Sequence, residues 1–112
     1  MEKFSVEVNA VDGGVLVALT GEIDLVAADG LYDELERAAA SSDVVLDCAG
    51  ITFIDSAGLR TFIKAARKAE ASGTRLRLAA VPAPVARVFA LAGVLELFTI
   101  GEDPAQALTD AD

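Results

Sequence analysis

The sequence predicts an α/β domain with a central mixed sheet of about five strands and about four helices, in the order β-β-α-β-α-β-α-β-α. Three observations carry this reading. Segments with a two-residue apolar period alternate with segments whose apolar residues recur every three or four positions. A glycine-bearing turn, Asp12-Gly13-Gly14, joins the first two strands as a hairpin. The 112 residues, 54% of them hydrophobic, suit one domain over 1–112 whose core needs neither metal nor disulfide.

Each element follows from a local pattern. Phe4, Val6 and Val8 alternate with Ser5, Glu7 and Asn9, which is the period of a half-buried strand. Residues 15–20 form a more continuously apolar strand, and Gly21-Glu22-Ile23-Asp24 breaks it. Leu25, Ala28, Leu31, Leu35 and Ala38 then make the apolar stripe of a first helix, with Asp24 placed as its N-cap. Asp29, Asp33 and Glu36 lie on the opposite, acidic face. Residues 43–48, with Val44, Val45 and Leu46 inside, read as a buried strand, and Ile51-Thr52-Phe53-Ile54 as the loop after it.

The second helix runs from Ser56 to Ala71, with Leu59, Phe62, Ile63 and Ala66 inward and Gly73 in the C′ role. Arg75-Leu76-Arg77-Leu78 alternates as a further strand. Pro82 opens a third helix carrying Val85, Val88, Phe89 and Ala92, which stops near Gly93. Residues 97–100 form a last strand, and Pro104 stands early in a final helix.

Composition excludes several function classes. Nine Lys+Arg against 18 Asp+Glu leave a formal charge of −9, which disfavours nucleic acid and anionic membrane surfaces as partners. With no His in the chain, Ser-His-Asp and Cys-His catalysis and His-ligated metal sites are impossible. One cysteine, Cys48, cannot form an intramolecular disulfide or a thiolate cage, and reads as a small core hydrophobe. No apolar run approaches the roughly 20 residues of a membrane span, and Met1-Glu2-Lys3 leads into a strand pattern rather than a signal core. A cytoplasmic protein with no cofactor is expected.

The stretch that breaks its local rules is Phe53-Ile54-Asp55-Ser56-Ala57-Gly58-Leu59. It follows the central strand, where open α/β sheets place their sites. Ser56 takes the N-cap or the first helical position beside Asp55. Gly58 falls in the first turn, where glycine costs up to ~1 kcal/mol against alanine, so a close neighbour is expected there. Ser56 is no hydrolase nucleophile: Ile54 stands where the elbow needs glycine, and Leu59 where a Ser-x-x-Lys motif needs lysine. A receiver domain is excluded by the β-β-α opening and by the lack of an acidic pair in Val8-Asn9-Ala10. There is no glycine-rich Lys-Ser/Thr loop for a nucleotide.

Gly21-Glu22-Ile23-Asp24, the string from Phe53 to Leu59, and Arg87-Val88-Phe89 through Gly93-Val94 to Leu97-Phe98 together resemble the STAS family, in particular its bacterial anti-sigma factor antagonists. The resemblance implies a single STAS-like domain and a non-enzymatic regulator of transcription in partner-switching and stress responses. It implies that an anti-sigma factor serine kinase, supplying its own ATP and Mg, phosphorylates Ser56 and thereby switches binding off. A metal-dependent serine phosphatase would reverse the mark. The unphosphorylated protein would bind that kinase and release a sigma factor. The implied partner surface comprises Asp24, Phe53, Ile54, Asp55, Ser56, Ala57, Gly58 and Arg60, on a monomer or weak dimer. Ala57 replaces a second hydroxyl found in some relatives, which leaves one obvious acceptor, with Thr61, a turn further into the helix, a poor reserve.

An alternative within the resemblance is a non-phosphorylated accessory or scaffold subunit, in a lipid-transport ATPase complex or a stress-sensing assembly. Separately, Arg60, Lys64, Arg67 and Lys68 line one side of the second helix, as a docking stripe or as a solvated face near its C-terminal end.

Overall fold

The computed structural model describes residues 4–11, 13–40, 42–94, 98 and 100–101. Phe4–Val11 (β1) and Gly14–Ile23 (β2) pair antiparallel, with Val11 opposite Gly14 at the turn. Leu25–Ala39 (α1) leads to Val44–Ile54 (β3), and Ser56–Ala71 (α2) leads to Leu76–Ala79 (β4). Ala83–Leu91 (α3) connects to Ile100–Gly101 (β5). The sheet order is β1-β2-β3-β4-β5, and every pair after the hairpin is parallel. The α/β class, the mixed sheet and the element order therefore match the sequence reading. The helix expected from Pro104, and residues 97 and 99 of the last strand, lie outside the described residues.

One core joins the three described helices to one face of the sheet. Leu31 and Leu35 from α1, Phe62 and Ala65 from α2, and Val85 and Phe89 from α3 meet Val17, Leu19, Val44, Leu46 and Leu78 there. Because strand side chains alternate, Val45 and Ala79 point the other way and form a small second cluster with Leu16. Phe89 ties the far end together, with its ring 5.7 Å from that of Phe62 and 5.3 Å from that of Phe98.

The main departure from the sequence reading lies at the carboxyl ends of the central strands. Gly21, Glu22 and Ile23 continue β2 rather than breaking it, and Ile51 to Ile54 extend β3 rather than forming a loop. The two extensions stabilise each other, since Glu22 pairs with Phe53 and Ile23 with Ile54. Gly21, at φ 95°, sits at a register shift that absorbs the irregularity. Neither segment has a strand pattern alone.

Burial differs in detail as well. The buried face of α1 is Ala28, Leu31, Leu35 and Ala39, so Ala38 is displaced to its edge. Leu25 keeps the expected phase but is 74% exposed, because the first turn begins beyond the strand ends. Val8 is exposed on the edge strand, and Ala92 is exposed beyond the end of α3. On α2, Ala65 and Ala69 fill the deepest positions while Ile63 and Ala66 are half-buried. Gly73 and Gly93 end their helices at φ 81° and 74°, in the C′ role read from the sequence.

Cys48 is fully buried, and its thiol donates to the Leu46 carbonyl at 3.5 Å. Burial pushes the thiol up from 9.0 to about 12. The unfolded chain therefore ionises first as pH rises, and this group's contribution to stability is lost between about pH 9 and 12. At pH 8 the folded protein should resist iodoacetamide until denaturant is added. Rapid alkylation of the native state would contradict this burial.

Candidate functional site

Ile23 and Ile54 end adjacent parallel strands, so the helices that follow start side by side. Asp24 is the N-cap of α1, its Oδ1 accepting from the Ala27 N–H at 3.1 Å. Asp55 is the N-cap of α2, its Oδ1 accepting from the Gly58 N–H at 2.9 Å. Both have extended backbones, as a cap residue requires. The Asp55 N–H in turn donates to the Ile23 carbonyl at 3.2 Å, which ties the second cap to the end of β2. Two partial positive helix ends thus sit together, each met by a carboxylate.

Asp55, not Ser56, caps α2. Ser56 is the first helical residue, and its side chain is exposed. An anion on that hydroxyl would sit at a helix N-terminus, where backbone N–H groups favour negative charge. Ala57 is half-buried, and Arg60 is exposed one turn along the same face. Thr61 cannot serve as a reserve acceptor: it is 5% exposed and its hydroxyl donates back to the Ala57 carbonyl at 3.1 Å. Removing the cap with Asp55→Ala should cost about 0.5–2 kcal/mol in denaturant unfolding, with Asp55→Asn recovering most of it. If Asp55→Ala unfolded like the parent, the bond to Gly58 would be energetically idle.

The close neighbour expected at Gly58 lies inside the chain. Gly58 is buried, and a Cβ there would lie 2.4 Å from the Ile23 carbonyl oxygen and 2.9 Å from Ile54 Cγ1. The glycine lets the first turn of α2 press against the end of β2, so the close approach that requires glycine here is met within the chain. Ile54 is likewise buried in the core. Phe53, by contrast, is 49% exposed at the end of β3.

Near this site, two exposed apolar residues were not singled out by sequence as surface features. Leu25 and Val26, the latter 91% exposed, open α1 beside Phe53 and Ser56. The available signal was Val26 itself, an apolar residue off the helix stripe. The basic residues of α2 divide as well. Lys64 Nζ lies 4.5 Å from the Tyr32 ring centroid, and Lys68 Nζ is 3.7 Å from Glu36 Oε2, so both lean on α1.

Among the described residues, no group of three or more His, Cys, Asp or Glu side chains is placed to hold a metal ion. None of the described helices is long and apolar enough to cross a membrane. An exposed hydroxyl on a capped helix start, with exposed Leu25, Val26 and Phe53 at the same end of the sheet, suits modification and docking by another protein.

Known proteins share this fold. An anti-sigma factor antagonist from Mycobacterium paratuberculosis is 27% identical, with 95% of this chain and 92% of that chain covered and a TM-score of 0.83. The Bacillus cell fate determinant SpoIIAA in its phosphorylated form is 20% identical, with coverage of 94% and 97% and a TM-score of 0.74. The same fold occurs within the murine solute carrier 26 family member A9 anion transporter, at 15% identity and a TM-score of 0.77, over 97% of this chain and 22% of that one. Residues 5–107 match the model of the STAS domain. With the hairpin, the paired Asp-capped helices and the element order already in place, that match over nearly the whole sequence means the chain belongs to the STAS domain family.

Proposed function

We propose that this protein is an anti-sigma factor antagonist whose docking on an anti-sigma factor serine kinase is switched off by phosphorylation of Ser56. The observation that carries this reading is the exposed Ser56 at the first position of α2, held by the Asp55 cap and the Gly58 contact. Exposed Leu25, Val26 and Phe53 supply apolar docking area beside it, and Arg60 a charge on its own face. The likeness to an antagonist, and to SpoIIAA in a phosphorylated form, supports the assignment.

On this reading the protein is a cytoplasmic, non-enzymatic switch of transcription, one STAS domain over 1–112, and takes no cofactor. The kinase brings ATP and Mg, and a metal-dependent serine phosphatase resets the serine. Asp24 and Asp55 shape the site by capping, and their carboxylates set the local charge against which a phosphate acts. Phosphate adds about −1.5 to −2 charge at neutral pH to a surface already bearing two aspartates.

Incubation with the candidate kinase and ATP, followed by intact mass and fragment mapping, tests the assignment. One added phosphate confined to Ser56 and absent from Ser56→Ala is the expected result. No modification by any kinase that binds the protein would favour the second reading, a non-phosphorylated accessory module. The same fold within an anion transporter gives that reading its support.

A further inference from the structure

We propose that a groove between the C-terminal half of α2 and the start of β4 is a second binding site, for an acidic and partly apolar peptide segment of another protein. The helix face read from sequence as one basic stripe is divided by the fold. Lys64 and Lys68 lean on α1, whereas Arg67 lines this groove together with Arg75 and Arg77. The cavity measures about 490 Å³, within the usual range for a bound ligand. Its apolar lining comes from half-buried Ile63 and Ala66 and buried Leu76.

The charge picks the occupant. Three arginines against Glu70 give the lining a formal charge of 3 − 1 = +2, in a chain whose total is −9. Arg75 and Arg77 also interact within the chain. A guanidinium has five N–H donors, so it can keep an internal partner and still bind a carboxylate. A membrane or nucleic acid would set its many charges against the whole acidic molecule, and a second copy its own −9, whereas a short segment brings only a few carboxylates to the basic lining. A bare anion would leave the apolar lining unused. Alternating carboxylates and aliphatic side chains match both parts of the groove.

The site is separate from the Ser56 end. Arg67 lies eleven residues along α2 from Ser56, or about 16 Å at the helical rise of ~1.5 Å per residue. That exceeds the Debye length of about 8 Å at physiological salt, so charge added at Ser56 is largely screened there. Both sites can be occupied in either phosphorylation state.

The probe is a fluorescein-labelled octapeptide of alternating Glu and Leu, titrated by anisotropy and mapped by amide shifts in the full ¹⁵N-labelled chain. Shifts are expected over residues 63–77. Affinity should fall about fivefold or more in Arg67→Glu, which changes an exposed helix position and should keep the fold. It should fall further in Arg67→Glu with Arg77→Glu, and also when salt is raised from about 50 to 200 mM. Ser56→Asp should change it by less than about twofold.

Equal binding of a Gln-Leu peptide would overturn the proposal, as would an unchanged affinity in Arg67→Glu. So would binding lost in Ser56→Asp, or shifts confined to residues 53–60, which would place the peptide at the other end of the helix. Displacement of the peptide by millimolar inorganic phosphate at constant ionic strength would identify a simple anion site and also overturn it.

Discussion

Phosphorylation of Ser56 is expected to weaken binding to the partner kinase by about a hundredfold or more while leaving the unfolding transition almost unchanged. The two halves of this result have different physical origins. Within the chain, the phosphate would sit at the start of α2, where unpaired backbone N–H groups and the helix dipole favour an anion. Across a docked interface it would face the nucleotide phosphates of the kinase, with Asp24 and Asp55 adding to the negative charge on its own side. Like charges brought together there cost several kcal/mol, and each ~1.4 kcal/mol is tenfold in affinity. Ser56→Ala should bind and resist modification. Ser56→Asp should bind less well than the parent but better than the phosphoprotein, because one carboxylate carries less charge than a phosphate. Titration of each form with the kinase, alongside denaturant melting, gives both quantities. Equal affinities for the modified and unmodified forms would remove the charge switch.

Gly58→Ala is expected to destabilise the fold by roughly 1–3 kcal/mol, the usual cost of an added methyl in a packed site. Sequence considerations alone point the other way, since alanine improves helix propensity by up to ~1 kcal/mol. The packing term wins because the added Cβ would lie 2.4 Å from the Ile23 carbonyl oxygen and 2.8 Å from Ile23 Cγ2. A backbone oxygen in a paired strand cannot swing aside as a side chain can. The first turn of α2 must therefore lift away from β2, straining the bond from the Asp55 N–H to that same carbonyl. Phosphorylation of Ser56 should also slow, since the acceptor moves with the turn. A denaturant midpoint equal to or above that of the parent would show that the turn has room to spare.

Helix α2 shows how far local signals reach. Its start at Ser56, its end at Ala71 and the glycine that follows were all legible, because caps, C′ glycines and apolar phase act over three or four residues. The cap itself was half legible: Asp55 and Ser56 are both good cap residues, and only the bond to the Gly58 N–H decides between them. The joined ends of β2 and β3 were not legible. Glu22-Ile23 and Phe53-Ile54 carry no strand period, and they are strand because each supplies the other's ladder across thirty residues of intervening chain. Leu25 had the right phase for burial but lies beyond the sheet that would have covered it.

By itself the sequence determined the α/β class, the order of elements, the exclusion of histidine chemistry and the motif around Ser56. All of these follow from residue identity and from spacings of two to four positions. Tertiary structure alone decided which residue caps α2, why position 58 is glycine, which apolar residues remain at the surface and how the basic residues of α2 divide between α1 and the groove. Those outcomes depend on what lies across the gap between elements. A one-dimensional pattern sets the direction of a side chain but not the neighbour it meets.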